Sequence, residues 1–288
     1  MRVAVTGATG QVGSAIAAYL LAQGHAVTTL GRRPTLLRGA THHPYDLTGP
    51  PPDLKGMDAL VHAAFSHIPG RYRGGEGDDP AGFRARNLDG TLRLFARARD
   101  CGVGRILFLS SRAVYGDYSA GTALDDGLHA RPDTLYGRIK AEAEDALFAM
   151  AHSGLAVANL RATGVYGPSV QKWADLFAAF DRGETVSPRV GTEVHADDLA
   201  AAVDILLRAE AKALRPATFN VSDILLDRHD LLATYADLTG RTGTLPDRAD
   251  PNGVCVMRTE RLTRLGWKPR GPDGLRPTLQ ALIGPARS

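Results

Sequence analysis

The sequence has little cysteine. Cys101 and Cys255 are its only two, far apart and in no C-x-x-C spacing, which argues against a disulfide framework and a zinc site. It also lacks any block of like charges. Its 34 basic side chains against 31 acidic ones give a formal net charge of +3, too balanced for a nucleic-acid or membrane-binding stripe, though anionic small molecules stay open as partners. No apolar run reaches bilayer-spanning length, and the opening MRVAVTGATG has neither the basic leader nor the long apolar stretch of a secretory signal. A cytoplasmic protein is expected. No metal is expected either: His195, Asp197 and Asp198 stand close together, but carboxylates at a helix start complement the macrodipole, and His195 reads as a satisfied, partly buried histidine.

What is present is 288 residues with 44% hydrophobic content, enough for one large α/β unit or a nucleotide-binding core with a smaller lobe. Short β-branched runs alternate with stretches of helical spacing, and no internal repeat interrupts them. Strands are predicted at Val3–Thr6, Ala26–Leu30, weakly at His43–Tyr45, and at Ala59–Ala63, Arg105–Ser110 and Leu155–Leu160. Helices are predicted at Val12–Gln23, Ala81–Asp100 and Tyr136–His152. The alternation implies a doubly wound parallel sheet with helices on both faces. After Tyr166 it weakens. Residues 1–165, completed by 195–221, are therefore expected to form the nucleotide-binding domain, and 166–194 with 222–288 the smaller substrate lobe. Two loops, Ser66–Pro80 and Gly116–Pro132, follow strand ends and are candidates to border a substrate.

Directly after the first strand comes Gly7-Ala8-Thr9-Gly10-Gln11-Val12-Gly13, leading into an amphipathic helix. Glycines there let backbone approach a pyrophosphate, while a helix N-terminus offers free N–H groups and partial positive charge. The spacing GxxGxxG is a variant of the dinucleotide fingerprint, and its position between strand and helix points to a Rossmann fold. The second strand ends in Gly31, Arg32 and Arg33, with no carboxylate to accept a ribose 2′-hydroxyl. Two guanidinium groups suit a 2′-phosphate, so NADP(H) is favoured and NAD stays possible.

The chemistry is expected from three side chains. The strand run Arg105–Ser110 leads into Ser111, and the helix after it carries Tyr136 and Lys140 four residues apart on one face. A phenol near pKa ~10 is a poor base at neutral pH, but an adjacent ammonium and an oxidised nicotinamide both favour the phenolate. Tyr136 would then act as general acid/base, with Ser111 donating a hydrogen bond to the substrate oxygen.

Together GATGQVG at the start, HAA at His62–Ala64, NLDGT from Asn87, SSRAVYG from Ser110, YGRIK from Tyr136, RATGVYGP from Arg161 and EVHADDLA from Glu193 make the chain resemble the extended short-chain dehydrogenase/reductase family, the NAD-dependent epimerase/dehydratases. The resemblance implies cofactor contacts from Asp46 and Leu47 at adenine, from Ala63 and Ala64 beside the pyrophosphate and ribose, and from Asn87, Ser110, Tyr136 and Lys140. It also implies that Thr163 and Val165 line the nicotinamide pocket. It further implies a homodimer built from the helices at Ala81–Asp100 and Tyr136–His152. Read without it, Asp46 is a turn cap and Asn87 a satisfied polar helix residue, and Thr163 belongs equally well to the core.

The chain also departs from the family. Gly164 stands where nucleotide-sugar epimerases carry a substrate-touching Asn, and Gly191 where they carry an Arg, for which Arg189 is a candidate substitute. Sugar-nucleotide dehydratases need an acidic pair just after the serine, where this chain has Arg112 and Ala113; an arginine cannot be that base. Arg112 is instead a candidate contact for an anionic substrate, with Arg71 and Arg73 as helpers. The expected function is hydride transfer between NADP(H) and a secondary alcohol or carbonyl of a small polar, sugar-like substrate. An epimerase that retains its cofactor and a non-catalytic NADP(H) sensor are the alternatives.

Overall fold

The computed structural model describes residues 1–67, 75–168, 170, 172–214 and 217–284; Arg71, Arg73 and part of the Ser66–Pro80 loop lie outside them. Seven strands form one parallel sheet: β1 (Arg2–Thr6), β2 (Ala26–Gly31), β3 (Thr41–Pro44), β4 (Ala59–His62), β5 (Arg105–Ser111), β6 (Ala156–Ala162) and, after two further strands in the chain, β9 (Ala217–Val221). Their spatial order is β3-β2-β1-β4-β5-β6-β9, every neighbouring pair parallel. The chain runs outward from β1 in one direction, then restarts on β1's other side with β4. Such a reversal opens a crevice beyond the carboxyl ends of the two strands, which is where open α/β sheets take ligands.

Apart from the edge strand β3, the strands are rich in buried apolar residues because helices cover both faces. One face packs α1 (Gln11–Ala22) and α6 (Ala196–Arg208) against β1, β6 and β9. The other packs α2 (Pro80–Arg84), α3 (Gly90–Asp100) and α4 (Leu135–Ala149) against β4 and β5. A smaller three-stranded sheet, β10 (Ile224–Asp227), β8 (Val190–His195) and β7 (Gly164–Tyr166), stands beside it. With α5 (Ala174–Asp181), α7 (Arg228–Thr239), α8 (Glu260–Arg264) and α9 (Leu275–Ile283) it completes the described strands and α-helices. Tyr166, Trp173, Leu231 and Leu279 form part of its own small core.

Three expectations need correction. The weak strand at His43–Tyr45 forms two residues earlier, at Thr41–Pro44, because it is a largely polar edge strand whose pattern marks no boundary. The helix expected as one piece over Ala81–Asp100 passes through a wider π-type turn at Ala85–Asp89, a local bulge that the apolar period does not reveal. The third concerns β7 to β10, which are absent from the strand candidates: they are only 3 to 6 residues long and carry Gly, Thr, Asn and Asp, so no alternation announces them.

Candidate active site

The glycine turn sits at the sheet's reversal point. Gly7 has φ of +74°, and a Cβ on it would lie 2.8 Å from both the Ala63 carbonyl carbon and the Ala64 nitrogen, so only glycine lets β1 and β4 end this close together. A Cβ on Gly13 would overlap the Gly7 carbonyl, which fixes the first turn of α1 against the loop. Gly10 donates to the Gly7 carbonyl at 2.8 Å and caps α1, whose first turn carries no acidic side chain. Gln11 is exposed, Val12 is half-buried against the core, and the helix start is open to an anion.

Beneath this turn runs a buried relay. Thr6 Oγ1 accepts from the Ala63 and Ala64 amides at 3.0 and 3.1 Å and lies 2.7 Å from His62 Nδ1. His62 Nε2 lies 2.9 Å from Thr91 Oγ1, which donates to the Asn87 carbonyl at 2.5 Å. With both hydroxyl roles so fixed, Thr6 donates to Nδ1 and the ring proton sits on Nε2. Burial, with Lys140 adding to it, lowers the His62 pKa to about 3, so the imidazole is neutral. Asn87, 1% exposed, donates both amide hydrogens to the Ser66 and Phe83 carbonyls and accepts from Ser66 N–H at 2.6 Å. Its side chain thereby holds the loop that follows Ala63 and Ala64.

At the end of β2, Arg32 and Arg33 are exposed, and Arg32 Nε lies 3.6 Å from the Asp46 carboxylate. Asp46 accepts from Thr48 N–H and Oγ1 at 2.8 and 2.6 Å, hydrogen bonds that together with Arg32 hold its carboxyl below the usual range. It therefore caps its own turn. Leu47 is buried, its carbonyl accepting from Arg93 and closing on Gly90.

The helix that carries Tyr136 and Lys140 is seated on the turn after Ser111 by a contact that sequence reasoning missed. Thr134 caps α4 by accepting from Gly137 N–H at 3.0 Å. A Cβ on Gly137 would overlap the Ala113 carbonyl and come 3.0 Å from Pro132 Cβ, so the first turn of α4 rests directly on the turn after Ser111. Ser111 Oγ accepts from Ala113 N–H at 3.2 Å and keeps its own proton to donate. Lys140 is 3% exposed; its Nζ donates to the Leu109 carbonyl at 2.7 Å and lies 4.6 Å and 4.8 Å from the ring centres of Phe108 and Phe65. Burial lowers its pKa to about 7, with Glu144 opposing. Phe65 packs edge-on against Tyr136 at 4.9 Å, and the Lys140 ammonium is 6.0 Å from the Tyr136 ring. Ser110 Oγ, facing the same interior, is buried with no partner among the described residues.

Glu144, also unforeseen, sits one further turn along α4 and holds Arg161 in a buried pair at 2.6 Å, with Arg161 stacked on Tyr115. Its signal was in the spacing, since Tyr136, Lys140 and Glu144 recur every four residues.

On the substrate side, Arg112 stands directly after Ser111. It is half-buried and donates to the Cys255 carbonyl at 2.9 Å, tying the end of β5 to the C-terminal segment. Arg189 is exposed at the start of β8. Thr163 donates to the Thr192 carbonyl at 2.7 Å and joins the two sheets, while Val165 packs with Ala15, Val170 and Ala196. His195 is buried and caps α6, accepting from Asp197 N–H at 3.1 Å, and Asp198 holds Arg270. No group of metal-ligating side chains occurs among the described residues.

The model of the NAD dependent epimerase/dehydratase family matches residues 3–222. The chain belongs to that family. Among its relatives, the UDP-glucose 4-epimerase of Vibrio cholerae is 34% identical over 134 residues, which cover 45% of this chain and 40% of that enzyme. The dTDP-6-deoxy-L-talose 4-dehydrogenase (NAD(P)(+)) of Kitasatospora kifunensis is 27% identical over 302 residues, covering 93% of this chain and 91% of that one. The solved structure of the Thermus thermophilus UDP-glucose 4-epimerase in complex with NAD superposes with a TM-score of 0.80 at 25% identity, covering 99% of this chain and 100% of the other. The first curated relatives are thus matched over well under two thirds of their own length, the dehydrogenase over nearly all of it. In this parallel sheet the glycine turn after β1 and Ser111 at the end of β5 both lie at the carboxyl ends of the strands, and the first turn of α4, with Tyr136, rests on the turn after Ser111. No described helix is long and apolar enough to cross a membrane.

Proposed function

We propose that the chain is an NADP(H)-dependent oxidoreductase that moves a hydride to or from a secondary alcohol or carbonyl of a small, polar, sugar-like substrate. The observation that carries this reading is the seating of Gly137 on Ala113, which draws the Tyr136 turn up to Ser111 above the buried Lys140. The glycine turn supports a dinucleotide beside them: Cβ atoms at Gly7 and Gly13 would fill the space where its backbone closes, and the start of α1 is free of acidic side chains. Arg32 and Arg33 would hold the 2′-phosphate, and their exposure at the end of β2 supports NADP(H) over NAD.

When bound, the nicotinamide supplies or accepts the hydride. Ser111 Oγ donates to the substrate oxygen and orients it. Tyr136 Oη gives that oxygen its proton in reduction and removes it in oxidation. Lys140 stabilises negative charge on the Tyr136 oxygen from beneath, and with Tyr136 would hold the nicotinamide ribose. Ala63 and Ala64 would border the pyrophosphate, Asp46 and Leu47 the adenine, and Thr163 and Val165 the nicotinamide; residues 166–194 and 222–288 would form the substrate lobe. Arg112, bound to Cys255, offers no carboxylate for an elimination. A homodimer through α2, α3 and α4 and a cytoplasmic location belong to the same proposal.

The epimerase reading draws its support from the UDP-glucose 4-epimerases among the relatives. Absorbance at 340 nm over a panel of nucleotide sugars and their keto forms separates the two: the oxidoreductase changes it stoichiometrically, an epimerase does not. Cofactor preference is read by NAD+ and NADP+ titrations of wild type and an Arg32→Ala, Arg33→Ala variant. An unchanged preference contradicts the arginine assignment, and turnover surviving in Tyr136→Phe contradicts the mechanism.

A further inference from the structure

Glu144 and Arg161 form a buried ion pair that the chemistry above does not use. Their side chains are 4% and 7% exposed, and Arg161 donates to both Glu144 oxygens, from Nε at 3.1 Å to each and from a terminal nitrogen at 2.6 Å to one. Such a pair adds little stability compared with apolar side chains of the same volume, so its place in the site is the more informative feature. That place is one helical turn beyond Lys140, on the face of α4 that carries Tyr136, Lys140 and Glu144 in steps of four.

Lysine and glutamate four apart on a helix can close into a contact pair. Here each has another partner: Lys140 Nζ donates to the Leu109 carbonyl, and both Glu144 oxygens accept from Arg161. Glu144 is nevertheless the carboxylate whose charge bears on Lys140, opposing the desolvation of the ammonium between Phe65 and Phe108. The other titratable groups around the ammonium are Tyr136 on its own helix and, from β4, the neutral His62; β5 contributes the Phe108 ring and the Leu109 carbonyl. Arg161 thus keeps the negative charge near Lys140, yet too firmly bound to draw the ammonium off Leu109.

Arg161 is in turn set by the stretch after Ser111. Its guanidinium lies 4.6 Å from the centre of the Tyr115 ring and donates to the Leu128 carbonyl at 3.4 Å, and Tyr115 Oη donates to Asn220 Oδ1 at 2.6 Å. The ion pair thereby ties the helix of Tyr136 to the stretch that follows Ser111.

We propose that Glu144 is a positioning residue of this site, clamped by Arg161 so that it keeps Lys140 charged and in place beneath Tyr136 without contacting it. This rests on the oxidoreductase reading for what the charge is used for, whereas the effect of Glu144 on Lys140 is a property of the folded chain alone.

The test is an NMR titration of the Lys140 ε-methylene signal, assigned by its loss in Lys140→Met, in wild type, Glu144→Gln, Arg161→Met and Arg161→Lys, with and without NADP+. Glu144→Gln keeps the shape and an acceptor for Arg161 and removes the charge, so the Lys140 pKa is expected to fall by about half a unit or more. Arg161→Met frees the carboxylate to reach Lys140, so the pKa is expected to rise by about half a unit or more, while Arg161→Lys keeps a cation on Glu144 and holds it within about 0.3 unit of wild type. A pair that only supports the fold would shift Lys140 the same way in Glu144→Gln and Arg161→Met, or not at all, and either result overturns the proposal. If Arg161→Met does not fold, Glu144→Gln decides alone, and a Lys140 pKa that does not fall overturns it. In the 340 nm assay Glu144→Gln is expected to lose about threefold or more in kcat above pH ~8, with KM changed by less than about twofold; an unchanged kcat there contradicts the positioning role. A wild type without turnover counts against the oxidoreductase reading, and the Lys140 titration then decides the effect of Glu144 by itself.

Discussion

Replacing Lys140 with methionine is expected to make the protein inactive and more stable at once. The ammonium is buried between Phe65 and Phe108, and burial lowers its pKa from 10.5 to about 7. At about 1.36 kcal/mol per pH unit, that difference corresponds to about 5 kcal/mol of native-state penalty for the charged form. The hydrogen bond to Leu109 and the two aromatic faces return part of it, about 1.5–3 kcal/mol and ~1 kcal/mol respectively by their usual magnitudes. Methionine fills similar volume with no charge, so Lys140→Met should gain roughly 1–3 kcal/mol at pH 6. The sign of the pH dependence follows from the protons bound. Between pH ~7 and ~10.5 the unfolded chain keeps the lysine proton that the folded chain releases, so wild-type stability rises with pH there and the variant's advantage shrinks. Urea unfolding of both proteins at pH 6, 7.5 and 9 reads this directly. A variant less stable than wild type at pH 6, by an amount that does not change with pH, refutes the reasoning.

Gly137→Ala tests how the site is assembled: the new methyl meets the Ala113 carbonyl, so stability should fall by roughly 1–3 kcal/mol, and kcat by tenfold or more as Tyr136 moves off Ser111. An unchanged kcat contradicts the seating argument. Burial raises the Asp126 pKa to about 6, against its hydrogen bond from Asn220 N–H, so the folded chain holds a proton that the unfolded one has lost between pH ~4 and ~6 and stability falls as pH rises through that window. Asp126→Asn keeps an acceptor for Asn220 and should flatten that fall, gaining about 1–3 kcal/mol at pH 7 in urea unfolding. A slope preserved between pH 4 and 6 assigns it to another group. Gly13→Ala should weaken NADP+ binding at least tenfold in fluorescence titrations, because its methyl collides with the Gly7 carbonyl; wild-type affinity would remove the glycine turn from the site.

Much of this was legible in the chain itself, for identifiable reasons. The five stronger strand runs are buried on both faces and carry an apolar signature, and Gly7 in the first turn has a conformation that only glycine tolerates. Tyr136 and Lys140 announced themselves because helical spacing is local. Contacts that join distant segments left no trace in any local pattern. Gly137 looked like an ordinary helix residue until its carbonyl neighbour, Ala113, was known. Asn87 read equally well as ligand or scaffold, and its hydrogen bonds to Ser66 and Phe83 join segments that no local pattern connects. Arg112 was judged by its place after Ser111, whereas its partner Cys255 lies 143 residues away. Gly164 and Glu193 stand side by side because β7 and β8 pair, a pairing of short strands without alternation.

A crystal structure of the chain with NADP+ tests the central claim most directly. The account expects the pyrophosphate on the Gly7 to Gly13 turn, the nicotinamide ribose within hydrogen-bond reach of Tyr136 and Lys140, and Ser111 Oγ facing the same open space as the nicotinamide ring. A dinucleotide bound elsewhere, or one whose nicotinamide points away from Ser111 and Tyr136, would contradict it.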